Sequence, residues 1–232
     1  GVPLKVCRDA DCSNQPGPGN SLSASFDSEL MLIMGPLSPL IGLNGSVGTT
    51  PHFYFRAFKY FSSQSYGMYL VTRLTGWSQQ DVFNLIDNSG PNTFVDKSKV
   101  KFVLDGTTIF GTGWNQLLTN TSNGLSAWGW QVELNTDDTY MRNDSNVIGY
   151  WGWGGMHPGI GRSNAAPGNT WAKGAIASVL EGYSARSFEN QSTGSQCLIG
   201  DWVEEGAPAI TGFTYDSYSD AATWPQFLFY YF

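Results

Sequence analysis

Short β-prone segments alternate with turn-forming residues along this chain, and this pattern limits the folds open to it. The 232 residues include 28 glycines and 11 prolines, which interrupt long elements and favour tight turns. Aromatic residues make up 15% of the chain, which is too apolar a composition for a disordered polymer. The sequence therefore predicts a folded protein with many turns.

Charged side chains are sparse, and their balance is acidic. They make up 13% of the residues, compared with about 25% in an average domain, and the formal net charge is -7. This composition excludes a coiled coil and a nucleic-acid-binding protein that depends on a basic face. No segment approaches the ~18 consecutive apolar residues of a membrane helix, so we expect no membrane insertion. The first residues lack the pattern of a signal peptide, which we expect to be removed or never present.

The clearest local pattern is a predicted β-hairpin over residues 100–110. Apolar residues alternate along 100–104, and Asp105-Gly106 then leads into the β-prone residues 107–110. Asp-Gly between two such runs is the strongest short hairpin signal, because both central positions of that turn require a positive φ angle.

Alternation also predicts a half-buried strand over residues 127–134, where Trp128 and Trp130 share one face with Val132 and Leu134. Residues 171–180 fit either a strand or a short helix. The other predicted strands are residues 30–34, 52–60, 67–73, 147–153, 174–181, 196–203, 210–215 and 226–232. This spacing is typical of an all-β fold, an antiparallel β-sandwich or jelly roll, as a single domain over residues 1–232.

One short helix is predicted near residues 79–87. Ser78 is a suitable N-cap, and Asp81 follows three residues later to complete a pair similar to a capping box. Residues 82–86 supply an apolar stripe, and residues 88–90 end the helix.

The cysteines and the glycosylation sequons bear on the compartment. Cys7 and Cys12 either form a disulfide or are unrelated small apolar residues, and Cys197 stands alone far downstream. We expect an extracellular or virion-surface location. Sequons for N-linked glycosylation begin at four asparagines and give this location weak support, because several arise by chance in a chain rich in Asn, Ser and Thr. The four asparagines are Asn44, Asn120, Asn143 and Asn190.

Few residues form a recognisable catalytic or metal-binding pattern. The chain has neither the Gly-x-Ser-x-Gly nucleophile motif nor a glycine-rich phosphate loop with its lysine. His52 and His157 lack zinc spacing to any cysteine, and the Asn and Asp residues of 135–144 do not match a helix-loop-helix calcium site. We therefore expect no metal and no cofactor.

An enzyme alternative rests on Glu29, which is either an ordinary strand-end charge or a nucleophile. The segment 28–34 resembles the nucleophile strand of the small jelly-roll endoglucanases, although it lacks the tryptophan usual after that strand. The resemblance implies a glycoside hydrolase with two carboxyl groups. Candidates for its acid partner are Glu133, Glu181, Glu204 and Glu205.

Aromatic rings beside glycines in residues 150–155 suggest a recognition surface instead. Flat rings with uncovered faces bind sugars or receptor side chains, while polar neighbours bind hydroxyl groups. Alternation places Tyr150 and its neighbouring tryptophan on opposite faces, so part of the cluster belongs to the core. The predicted ligand-binding residues are Trp151, Trp153, Asn143, Asp144, His157 and Arg162.

The final segment, residues 226–232, carries many aromatic side chains that a lone subunit would leave exposed. This segment, with Cys7 to Cys12 and the predicted hairpin, resembles parts of trimeric jelly-roll heads such as tumour-necrosis-factor-like domains and viral attachment-fibre heads. The resemblance implies a homotrimeric attachment protein and transfers no functional residue.

The sequence thus predicts a non-enzymatic attachment domain that binds a cell-surface glycan or a protein receptor, most simply as a homo-oligomer. Whether the chain is an enzyme is left open. The alternatives are a secreted glycoside hydrolase on a jelly-roll scaffold and a structural subunit of a shell or filament.

Overall fold

The structure is a computed structural model that describes residues 5–7, 23–31, 33, 60–90, 95–109, 112–153, 166–181, 184–188, 197–213 and 225. The chain divides into two compact units, residues 1–73 with 214–218 and residues 74–213 with 219–232. The expectation of a single domain over residues 1–232 stays a prediction.

The first unit contains short elements only. Its helix α1 lies close to a two-stranded antiparallel sheet, and a bidentate ion pair joins Arg73 to Asp27 in α1, with nitrogen–oxygen distances of 2.8 and 3.0 Å. The helix α2 begins at the N-cap Ser62 and ends at Gly67, whose φ of 60° is left-handed. The elements are β1 (Lys5–Cys7), β2 (Ser23–Ser25), α1 (Phe26–Met31) and α2 (Ser63–Tyr66).

The second unit is built around a five-stranded sheet in which every neighbouring pair of strands is parallel. Its strands are β3 (Lys101–Asp105), β4 (Gln131–Asn135), β5 (Val147–Gly152), β6 (Trp171–Val179) and β7 (Ile210–Thr211), in the spatial order β4-β3-β5-β6-β7. Its helices are α3 (Gln79–Asn88), α4 (Thr112–Ala127) and α5 (Ile199–Glu205). The predicted antiparallel β-sandwich or jelly roll is therefore wrong, and the arrangement is α/β.

Burial along the central strands explains the parallel arrangement. Every residue of β5 is buried, and so are four consecutive residues of β3, Phe102 to Asp105. A strand covered by helices on both faces reads as a continuous apolar run, whereas an antiparallel strand with one wet face alternates. The sequence segments that form β3 and β5 are such runs.

Helices cover both faces of the sheet. On one face, Leu118 and Leu125 of α4 pack in a cluster with Phe102 of β3 and Trp151 of β5. On the other face, Trp202 of α5 packs in a second cluster that includes Val103, Tyr150 and Val179. Tyr150 and Trp151 thus lie on opposite faces, as the alternation predicted.

The predicted hairpin over residues 100–110 is wrong, because β3 leads into α4 instead of into a second strand. Gly106 is required for close packing and not for a positive φ angle. A Cβ atom there would lie 2.3 Å from Asn115 Oδ1 and 2.7 Å from the Asn135 carbonyl oxygen. Among the described residues, Gly106 is not one of the positive-φ glycines.

The helix α4 was not predicted, because its sequence has a low intrinsic helix propensity. Its 16 residues include many threonines, asparagines and glycines, which favour helix poorly. Leu118, Thr121 and Leu125 nevertheless form a buried stripe with helical spacing, so tertiary packing stabilises the helix. The predicted strand over 127–134 begins too early, because Ala127 is the last residue of α4 and β4 begins only at Gln131.

The helix predicted near residues 79–87 is confirmed as α3. Ser78 Oγ accepts a hydrogen bond from the Asp81 amide at 3.2 Å, and the Asp81 carboxylate accepts one from the Ser78 amide at 2.7 Å. This reciprocal pair is the capping box that the sequence indicated.

Of the other predicted strands, some are confirmed and some are wrong. Strands are confirmed within 147–153 and 174–181, so the helical alternative for 171–180 is wrong, and the predicted strand over 210–215 shortens to β7. The segment 196–203 enters α5, because Asp201 caps its first turn by accepting the Leu198 amide at 2.8 Å. The segment 30–34 begins in α1, and no strand lies within 67–73.

Several predictions lie outside the described residues. They include the Cys7–Cys12 disulfide, nearly all of the predicted strand 52–60, and the aromatic segment 226–232 on which the homotrimer prediction depended. The parallel sheet is unlike a jelly-roll head, so the resemblance to such heads does not extend to the fold.

Candidate functional site

The strand order marks one place at which this sheet can hold a ligand. From β3 the chain passes to β4 on one side, and it then crosses back to place β5 on the other side of β3. The chain therefore leaves β3 towards β4 and leaves β5 towards β6, in opposite directions along the sheet. In doubly wound α/β sheets, ligands bind at the carboxyl ends of the strands beside this topological switch point.

Asp105 ends β3 at this switch point and is completely buried. One carboxylate oxygen accepts a hydrogen bond from Asn135 Nδ2 at 2.9 Å. The other lies 3.3 Å from the Met141 amide nitrogen and 3.4 Å from the Tyr150 hydroxyl, both of which donate to it. The carboxylate thereby joins the carboxyl ends of β3 and β4 to a residue of β5.

Two tyrosines extend this network away from Asp105. The Tyr150 hydroxyl is hydrogen-bonded to both Asp105 and Tyr140, and Tyr140 is only partly buried. Burial raises the pKa of each phenol well above its ordinary value, and the nearby acidic groups raise it further. Both hydroxyls therefore stay protonated and can donate hydrogen bonds at any physiological pH.

The loop after β3 is fastened to the loop after β4. The Asp138 carboxylate accepts hydrogen bonds from Thr107 Oγ1 at 2.7 Å, from the Thr108 amide at 2.8 Å and from Thr108 Oγ1 at 2.6 Å. Asn115 Nδ2 donates to the carbonyl oxygens of Thr107 and Thr136 at 3.1 and 2.8 Å. These bonds hold the residues at the carboxyl edge of β3 and β4 in one arrangement.

Glu181 adds a carboxyl group to the carboxyl edge. Glu181 follows the end of β6 and is 2% exposed, so a second buried carboxyl group lies at the same edge as Asp105. Both carboxyl groups are buried, so a ligand at this edge would meet the exposed Thr108 hydroxyl and Asp138 carboxylate beside them, and a phosphate would meet charge repulsion.

The only cysteine side chain among the described residues, Cys197, lies beneath this edge. Its Sγ accepts a hydrogen bond from Trp202 Nε1 at 3.2 Å, and burial raises the thiol pKa far above its ordinary value, with Asp201 and Glu181 adding to the effect.

We expect Cys197 to resist alkylation in the folded protein, because the thiolate is the reactive form. Iodoacetamide treatment at pH 8, followed by peptide mass spectrometry, should leave Cys197 unmodified in buffer and fully modified in guanidinium chloride. Rapid modification in buffer would contradict the buried position.

The predicted ligand platform is part of the core. Trp151 is 0% and Trp153 3% exposed. Trp151 stacks on Trp114 of α4 with ring centroids 5.6 Å apart, and Trp153 lies edge-on to both rings. In this arrangement neither ring offers an open face to a ligand.

The polar candidates lie at the opposite edge of the sheet. Asn143 and Asp144 precede β5, and Asp144 forms an ion pair of 2.6 Å with Lys101 at the start of β3. At about 3.3 Å per strand residue, roughly 20 Å separates them from Trp153. His157 and Arg162 lie outside the described residues. The candidates that are described do not share one surface, and their part in binding stays a prediction.

The carboxylates named for the enzyme alternative are also scattered. Glu29 lies in α1, and its side chain is outside what the structure describes. Glu133 forms an ion pair with Lys101 at 2.7 Å at the amino edge, and Glu204 is exposed. Only Glu181 lies at the carboxyl edge.

Glu205 has a structural role at the amino edge. It ends α5, and its carboxylate accepts the Gly168 amide at 2.6 Å, the Asn169 amide at 2.9 Å and Trp171 Nε1 at 3.0 Å. Burial raises its pKa, against the lowering effect of these hydrogen bonds. The side chain fastens the end of α5 to the start of β6.

Asp105 was missed from the sequence because Asp-Gly was interpreted as a hairpin turn. The signal that identifies it is an acidic residue directly after the buried run Phe102 to Leu104, which marks the carboxyl end of a parallel strand.

None of the helices among the described residues has the length together with the hydropathy that a bilayer span requires. In the same part of the chain, no group of three or more His, Cys, Asp or Glu residues is placed to hold a metal ion. Comparison of the chain with protein-family models, curated proteins and solved structures gave no match. The class defined here is thus the fold alone, a doubly wound α/β sheet with a buried carboxylate at its switch point.

Proposed function

We propose that the second unit binds a hydroxyl-rich ligand, such as a saccharide, at the carboxyl edge of its sheet beside Asp105. The observation that carries the proposal is the position of this buried carboxylate at the topological switch point between β3 and β5. The proposal keeps the expected extracellular recognition of a glycan and moves the site away from Trp151 and Trp153.

The chemistry of the edge favours a neutral polyol over a phosphorylated ligand. The connection from β3 into α4, residues 105–115, contains no lysine or arginine and begins with a carboxylate. A phosphate site at such a turn requires free amide groups without a negative charge beside them. Saccharide hydroxyls, in contrast, can donate to the exposed Asp138 carboxylate and accept from hydroxyls such as that of Thr108.

A second candidate function is glycoside hydrolysis at the same edge. It is favoured by the presence of two buried carboxyl groups there, Asp105 and Glu181, because such enzymes use a pair of acidic residues. Binding without cleavage is preferred, since Asp105 already accepts three hydrogen bonds from its own chain.

A glycan array probed with the full chain tests the site. Ile109 is 57% exposed in the loop after β3, so Ile109→Trp should obstruct the carboxyl edge without disturbing the core. We expect this variant to lose at least tenfold in affinity for any glycan that the wild-type chain retains. Asp105→Asn should lose binding as well, provided that circular dichroism shows the folded state.

The matched control is Ser145→Trp, which places the same side chain on an exposed residue at the amino edge. It should bind like the wild type. Loss of binding in Ser145→Trp alone would place the site with Asn143 and Asp144 and overturn the proposal, as would the absence of any retained glycan. Release of reducing sugar from a bound glycan would favour the hydrolase.

A further inference from the structure

The sequon at Asn143 occupies an exposed turn before β5. Asn143 is exposed, its φ is 61°, and its amide donates to the Pro167 carbonyl oxygen at 2.9 Å. A left-handed conformation of this kind is one that asparagine adopts readily in turns. The Asn143 side chain belongs to an exposed residue, and no described residue forms a hydrogen bond with it.

The other two sequon residues leave this side chain uncovered. The Asp144 carboxylate is directed to Lys101 at 2.6 Å, and the Asp144 amide donates to Asn169 Oδ1 at 2.9 Å. Ser145 is exposed. An enzyme can therefore reach the asparagine amide and the serine hydroxyl together in the folded protein.

The sequon at Asn120 offers an internal comparison. It lies within α4, where Asn120 Oδ1 accepts a hydrogen bond from Gln116 Nε2 at 3.0 Å and Thr121 is buried. Residues two apart on a helix do not face each other, so the Ser122 hydroxyl cannot approach the Asn120 amide. Of the two sequons among the described residues, only the one at Asn143 lies in a turn and not in a helix, so only there can the sequon hydroxyl approach the asparagine amide.

We propose that Asn143 is a site of N-linked glycosylation. The co-reactant is a lipid-diphosphate-linked oligosaccharide. Asn143 Nδ2 forms a bond with the anomeric carbon, the bond from that carbon to the diphosphate oxygen breaks, the lipid diphosphate leaves, and the amide loses one proton. The proposal rests on the expected extracellular location and not on the proposed ligand site, because Asn143 lies at the opposite edge of the sheet.

The test is secretion of the full chain from eukaryotic cells behind a cleavable signal. Peptides are then treated with an N-glycan amidase in heavy-oxygen water, which converts each occupied asparagine to a mass-labelled aspartate. We expect the label at Asn143 in most molecules and at Asn120 in at least tenfold fewer. Asn143→Gln and Ser145→Ala should each remove one glycan from the intact mass, and Asn120→Gln should remove none.

An unlabelled Asn143 in secreted, folded chain would overturn the proposal, and so would higher occupancy at Asn120. Because labels are assigned by peptide, the sequons at Asn44 and Asn190 do not affect the result. Glycan-array binding by Ser145→Ala, which removes the same sequon, should equal that of the wild type, so that each proposal can fail without the other.

Discussion

Replacing Trp151 with alanine should lower the free energy of unfolding by about 3–5 kcal/mol, the usual cost of truncating a large buried aromatic residue. The ring is 0% exposed and stacks on Trp114 between α4 and the sheet. Its loss leaves a cavity that the two elements cannot fill. Urea unfolding followed by far-ultraviolet circular dichroism measures the change.

Trp128 supplies the matched control, because it is the same residue type and is 56% exposed beyond the end of α4. Trp128→Ala should change the unfolding free energy by less than about 1 kcal/mol. A Trp151→Ala variant that kept wild-type stability and lost glycan binding would contradict the core position and restore the tryptophan platform predicted from the sequence.

Replacing Glu205 with glutamine should cost about 1–3 kcal/mol of stability at neutral pH, as expected when hydrogen bonds to a charged, partly buried acceptor are broken. An amide has one acceptor oxygen, so it cannot satisfy the Gly168 amide, the Asn169 amide and Trp171 Nε1 together. Urea unfolding at pH 7 measures this loss. Glu204→Gln, which removes the same charge from an exposed neighbour, should change stability little.

The Glu205 effect should also depend on pH. Its pKa is raised in the folded protein above the ordinary value of 4.5, so the folded state binds the proton more tightly than the unfolded state. The contribution of this ionisation is therefore most favourable near and below pH 4.5 and decreases as pH rises through the folded pKa. The stability difference between the wild type and Glu205→Gln should be larger at pH 4.5 than at pH 7. A difference that decreased on acidification would contradict the direction of the shift.

Local signals predicted several elements of this fold correctly. The capping box of α3 depends on residues three apart, and the strands β5 and β6 are short β-prone runs bounded by turns, so nearby residues are sufficient to indicate them. The same signals cannot decide how strands pair. The connection after β3 contains a helix of poor intrinsic propensity, and this helix is what makes the sheet parallel.

The candidate site was less accessible to sequence reasoning. Asp105 and Glu181 are about 75 residues apart in the chain, and only the parallel order of β3, β5 and β6 places them on one edge. Trp151 and Trp153 are residues of the type that binds sugars, but whether their rings are exposed or buried depends on whether α4 covers them. Once β3 and β5 are known to be neighbours, an acidic residue at the end of a buried strand becomes the stronger signal.

The hydrogen bonds that Asp138 accepts from Thr107 and Thr108 have a consequence for the thermodynamics of the proposed binding. Loops that are already held together by hydrogen bonds in the free protein lose little conformational entropy when a ligand binds. The proposed ligand would therefore need only a few good contacts to remain bound, and the free and ligand-bound forms of these loops would differ little in shape.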